Sequence, residues 1–188
     1  MIKYLSKYKQ KMNPFIVFIG YFIVTHCASA DWNFFRGSAD MRGVAKHSLQ
    51  LPLKLAWDIK IGRSVFATPV VAGDKIFVGN EEGKFVSMDL KTGKILWEFD
   101  TEDIIEGTAC IAGSYVIFGS GDGFLYCMNQ SDGKVKWKYE TDGEILGGVN
   151  LFKSKEDNKL YVLAGSYDNY MHCVSLDSGK LKWKYETQ

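Results

Sequence analysis

The stretch 90–101, "LKTGKILWEFDT", recurs as "QSDGKVKWKYET" at 130–141 and as "LDSGKLKWKYET" at 176–187. One polar turn, one glycine and one tryptophan-bearing strand, written three times, confine the chain to a repeat architecture. Trp57, Trp97, Trp137 and Trp183 follow one another at intervals of 40, 40 and 46 residues, and the longer last interval contains the polar insertion "SKEDNK" at 154–159. Periods near 40 suit propeller blades or paired helices, so the hydrophobic period inside the unit has to decide.

It decides for strands. In "KVKWKYE", Val135, Trp137 and Tyr139 alternate with Lys134, Lys136, Lys138 and Glu140, the period of two that marks a half-buried strand. The third copy repeats the pattern with Leu181, Trp183 and Tyr185. Upstream, "KIFVGN", "YVIFGS" and "YVLAGS" end at Gly79, Gly119 and Gly165, and the turns "EEGK", "GDGF" and "YDNY" follow. A shorter apolar strand opens each unit at "TPVVAGD", "TACIAGS" and "GVNLFKS". Each unit therefore reads as four antiparallel strands. Gly93, Gly133 and Gly179 occupy the turn position that needs a left-handed backbone.

A lone sheet of this kind is apolar on both faces, and stacking copies face to face around an axis buries them. The expected fold is all-β: a β-propeller with blades over about 66–102, 106–142 and 146–188, plus an extra N-terminal tryptophan strand at 53–60 ("LKLAWDIK"). Lysines opposite Trp137 and Trp183 suit an outermost strand, where charge discourages sheet-to-sheet aggregation.

Residues 1–30 stand apart. Lys3, Lys7, Lys9 and Lys11 precede the apolar run "PFIVFIGYFIV" and the small-residue end "THCASA". This order describes a secretory signal peptide cleaved after Ala30, because the run is about half the 20 residues that a span needs. A lipoprotein signal at Cys27 is disfavoured by His26, which stands where a small residue is expected. Cleavage turns a formal charge of +1 into about −3, since the four lysines leave with the segment. No electrostatic footprint for nucleic acid remains. Residues 31–52 form a leader ahead of the repeats.

The mature chain holds Cys110, Cys127 and Cys173, an odd number at no metal or redox spacing. Cys127 and Cys173 share a repeat position with Ser87, as small buried strand residues do. His172 stands where the other copies have Val86 and Tyr126 and reads as a packed residue; His47 has no partner at metal-site spacing. "GSGDG" closes a hairpin and opens no helix, so it is no phosphate cradle.

The segment "GDKIFVGNEEGKFVSMDLKTGKILWEF" resembles the β-propeller repeat of pyrroloquinoline-quinone (PQQ) enzymes and their relatives, and "DWNFFRG" at 31–37 is similar to the opening of exported, BamB-like bacterial members. The resemblance covers about 53–188. It implies rings of seven or eight blades, about 280–320 residues at 40 per blade, so the chain is expected to be the N-terminal part of a longer protein. Otherwise, another copy of the chain would cover the open blade faces.

Three functions follow from the resemblance: a non-catalytic scaffold that offers rim loops to a protein partner, a quinoprotein dehydrogenase, and a sensor or substrate-binding propeller. The dehydrogenases carry adjacent cysteines beside the cofactor, and no two cysteines adjoin here. Calcium wants six to eight oxygen ligands, whereas the acids here sit in turns whose backbone explains them. The reading is a scaffold with no cofactor, no metal and no catalytic residue, exported to the periplasm, the cell envelope or the extracellular space of a bacterium.

Overall fold

A computed structural model of the chain describes residues 31–38, 42–45, 48 and 51–187. The signal-peptide reading of residues 1–30, with cleavage after Ala30, lies outside the described residues, as does His47.

Twelve strands and no helix make up the described fold. The first blade contains β1 (Val70–Ala72), β2 (Lys75–Gly79), β3 (Lys84–Asp89) and β4 (Ile95–Asp100). The second contains β5 (Cys110–Ala112), β6 (Tyr115–Gly119), β7 (Phe124–Asn129) and β8 (Val135–Glu140), and the third β9 (Asn150–Lys153), β10 (Leu160–Gly165), β11 (Tyr170–Ser175) and β12 (Leu181–Glu186). Every sheet is antiparallel in simple chain order. The register also repeats: Phe77, Ser87 and Trp97 lie side by side across β2, β3 and β4, as do Ile117, Cys127 and Trp137 one blade later.

The turns explain why strands two and three pair so tightly. Gly83 and Gly123 have φ of 74° and 83°, and Asn169 supplies 69° in the third copy, where no glycine stands. The insertion of the third unit is absorbed between β9 and β10, where Asn158 turns at φ 59°.

Two of the apolar clusters span the gaps between sheets. Phe77, Phe85 and Trp97 of the first blade join Ile111, Val116, Phe118, Tyr126 and Met128 of the second, with the rings of Phe85 and Phe118 stacked 3.9 Å apart. A second cluster joins Cys110, Ile117, Leu125 and Cys127 to Val149, Val162, Ala164 and Val174 across the next gap. The lysines opposite the tryptophans lie over aromatic rings: Lys136 is 3.9 Å from the Tyr115 centroid and Lys138 is 4.0 Å from that of Phe124. Their stems cover apolar surface while the ammonium groups meet the ring faces.

Residues 53–60 differ from the blades in one respect. They form no ladder with any described strand, although Trp57, Ile59 and Ile61 pack on the face of the first blade formed by Ile76, Val78, Val86 and Met88. The strand expected at 53–60 is therefore not formed among the described residues, although Trp57 is placed against the first blade as the later tryptophans are against the next.

Candidate functional site

The residues that repeat most faithfully meet at the blade interfaces. The Trp97 indole N–H donates to the Gln130 carbonyl at 3.0 Å, and its ring lies against Gly133, three residues further on. Trp137 repeats this with the Leu176 carbonyl at 2.8 Å and Gly179, and Trp57 with the Leu90 carbonyl at 3.0 Å and Gly93. A Cβ at Gly93, Gly133 or Gly179 would stand 2.7, 2.7 or 2.8 Å from the facing ring. Their φ values of 71°, 68° and 69° fall in the left-handed region as well. Glycine is thus required twice at each site, by the turn and by the neighbouring blade.

Trp183 holds the same place on β12. It is 39 % exposed, and among the described residues its indole has no acceptor. All six residues of β12 are exposed, whereas β4 alternates and three residues of β8 are half-buried. Of the repeat positions singled out in the sequence, three tryptophans and three glycines therefore come together in pairs, and Trp183 remains outside.

The fourth notable group is polar. His172 is buried at 2 % exposure, with Nδ1 3.0 Å from the Tyr139 hydroxyl of the preceding blade and Nε2 2.9 Å from Asp168 Oδ2. An ionised carboxylate only accepts, so Nε2 carries the proton toward Asp168. In the neutral ring, Nδ1 then accepts from Tyr139. The second blade has a shorter version, in which the Tyr126 hydroxyl donates to Asp122 at 2.8 Å. The first blade, with Val86 at this position, has none. Burial works to raise the Asp168 carboxyl, but the Tyr170 amide, His172 and Ser166 outweigh it and hold the group below the usual carboxylate range.

A depressed folded value has a definite sign. The stabilisation from Asp168 is complete above the ordinary carboxylate value of about 4 and is lost as pH falls through the lower folded value. Urea unfolding of the parent should therefore weaken between about pH 5 and pH 3 by more than that of an Asp168→Asn variant, whose profile is flatter over this range. Parallel profiles would show that Asp168 contributes nothing through its charge.

Among the described residues, Cys110, Cys127 and Cys173 are fully buried and unpaired. Cys127 lies beside Trp137 in the ladder, with its thiol pushed up to about 12 by burial; Cys110 and Cys173 are raised for the same reason. The thiolate is the reactive form. Iodoacetamide at pH 8 should leave all three unmodified in the folded protein and alkylate all three after denaturation, as peptide mapping would show. Among the described residues, no group of three or more histidines, cysteines or acids could hold a metal ion.

The chemistry of this framework is interblade docking, repeated with one register. A family profile described as outer membrane protein assembly factor BamB matches residues 53–188. The chain belongs to this family of PQQ-type repeat proteins. Among curated proteins, none matches it in sequence. Solved structures share its fold: BamB from Moraxella catarrhalis is 21 % identical with a TM-score of 0.58, over 70 % of this chain and 39 % of that one. Quinohemoprotein alcohol dehydrogenase from Comamonas testosteroni is also 21 % identical, with a TM-score of 0.69 over 84 % of this chain and 27 % of that one. The computationally designed Ika8 protein reaches 0.53 at 18 % identity, over 66 % of this chain and 37 % of that one. The chain thus spans between about a quarter and two fifths of the length of these proteins.

Sequence reasoning missed the pairing of Trp with the next blade's glycine, although its trace is present. The tryptophan-to-carbonyl offset is 33 residues in the first two copies and 39 in the third, which differs by the six-residue insertion.

Proposed function

We propose that this chain is part of an exported, non-catalytic propeller that acts as a BamB-like scaffold and presents its rim loops to a protein partner in the cell envelope. One observation carries the reading: the buried histidine and its acid are committed to a relay that joins the second and third blades. Both nitrogens of His172 are engaged, Tyr139 and Asp168 complete the relay, and the cysteine thiols are buried and raised. The family's description as an assembly factor supports a protein partner and an envelope location.

Photo-crosslinking residues placed in the rim loops at Asp103 and Asp142, which are exposed, test the reading in a bacterial envelope. The expected product is a discrete adduct with an outer-membrane assembly component. The competing reading, a portion of a quinoprotein dehydrogenase, predicts no such adduct and a stoichiometric, calcium-dependent titration with pyrroloquinoline quinone.

A further inference from the structure

Residues 31–34 thread across the first strands of successive blades. Trp32 and Val71 exchange both backbone hydrogen bonds at 2.9 Å, as one antiparallel pair. The Asp31 carboxylate accepts the Gly73 N–H at 2.9 Å, and the Asn33 carbonyl accepts the Ile111 N–H at 3.0 Å. Phe34 packs on the cluster that joins the second and third blades. Four consecutive residues therefore run from the first blade to the second, and the last of them packs on the core between the second and third.

The seat is built by the repeat itself. β1, β5 and β9 each end their sheet, and Val71, Ile111 and Leu151 hold the same register position, opposite Ile76, Val116 and Val162. A terminal strand leaves a row of N–H and C=O groups on its outer side, the template on which an extended segment adds. After Phe34 the leader turns back on itself: the Gly37 N–H donates to the Phe34 carbonyl, and the Trp32 ring lies where a Gly37 Cβ would be. Its grip on the blades thus comes from the main chain, the Asp31 carboxylate and the Phe34 ring, while the Trp32 ring supports the leader's own turn.

We infer that the first strands of the blades form a strand-acceptor track, a binding surface separate from the rim, whose occupant is the leader of this chain, residues 31–38, held as an exchangeable strap. The chemistry it selects is an acid followed by a short extended stretch with an aromatic residue three positions later.

Amide hydrogen exchange in the full chain tests it. Replacing Trp32 and Phe34 together by alanine should quicken exchange at Val71, Gly73 and Ile111 by about tenfold or more and leave Thr141 and Ile145 unchanged. A synthetic peptide of residues 31–38 should restore protection saturably, and a scrambled peptide of the same composition should not. Because the double variant removes packed surface, Asp31→Ala is read beside it. There, Gly73 alone should quicken. Unchanged exchange at the three amides, failure of the peptide to restore them, or quickening spread to Ile145 and Val149 in both variants would overturn the strap.

Discussion

Replacing Trp97 or Trp137 by alanine is expected to lower the free energy of unfolding by about 3–5 kcal/mol, and replacing Trp183 by no more than about 1 kcal/mol. The three tryptophans occupy one strand position and differ only in what stands opposite. Trp97 and Trp137 each meet a glycine turn and a carbonyl of the next blade, and each loses an indole hydrogen bond on truncation. That truncation also strands a carbonyl and leaves a void between packed sheets. Trp183 has neither partner among the described residues and is already substantially exposed. Urea unfolding followed by far-ultraviolet circular dichroism separates the cases without relying on the fluorescence of the residues removed. Equal losses at all three positions would mean that the indoles stabilise their own sheets and contribute nothing between sheets.

Gly133→Ala is the second large effect, at about 3 kcal/mol. Two contributions combine. An alanine at φ 68° costs roughly 1–2 kcal/mol for the left-handed backbone, and forcing a Cβ to within 2.7 Å of the Trp97 ring adds overpacking of about 1–3 kcal/mol. Gly113 supplies an internal control: its φ is 57°, but nothing lies within 4 Å of its Cβ position. Gly113→Ala should therefore show the backbone cost alone, about 1–2 kcal/mol. If the two glycines cost the same, the facing indole exerts no steric demand and the turn explains everything.

What the sequence disclosed was local. Alternation in "KVKWKYE" set β8, and positive-φ residues at Gly83, Gly123 and Asn169 set the turns, because both depend on neighbours a few residues away. Stacking between copies followed from the apolar faces on both sides of each sheet. The pairings across the gaps were harder to read, since they join residues more than 30 positions apart through the relative placement of two sheets. Gly79 and Gly119 show the same difficulty at a shorter separation. Each ends a strand, as expected, but the close approach of Ile105 and Ile145, whose Cγ2 atoms stand 2.2 and 2.1 Å from where a Cβ would be, depends on how the loop after the fourth strand folds back. His172 was legible as a packed residue because it replaces Val86 and Tyr126 in the pattern. Its link to Tyr139 depended on the neighbouring blade. The leader gave no periodic signal, so its run across β1 and β5 emerged only from the backbone contacts of Trp32 and Asn33.

The most direct test of interblade docking is a double-mutant cycle between Trp97 and Gly133. Coupling energies of this kind isolate a contact from the separate costs of each change. With Trp97 replaced by alanine, the ring that obstructs a Cβ at Gly133 is gone, so Gly133→Ala should cost no more than Gly113→Ala does in the parent. A Gly133→Ala cost that stays at about 3 kcal/mol in both backgrounds, with strictly additive losses, would contradict the account.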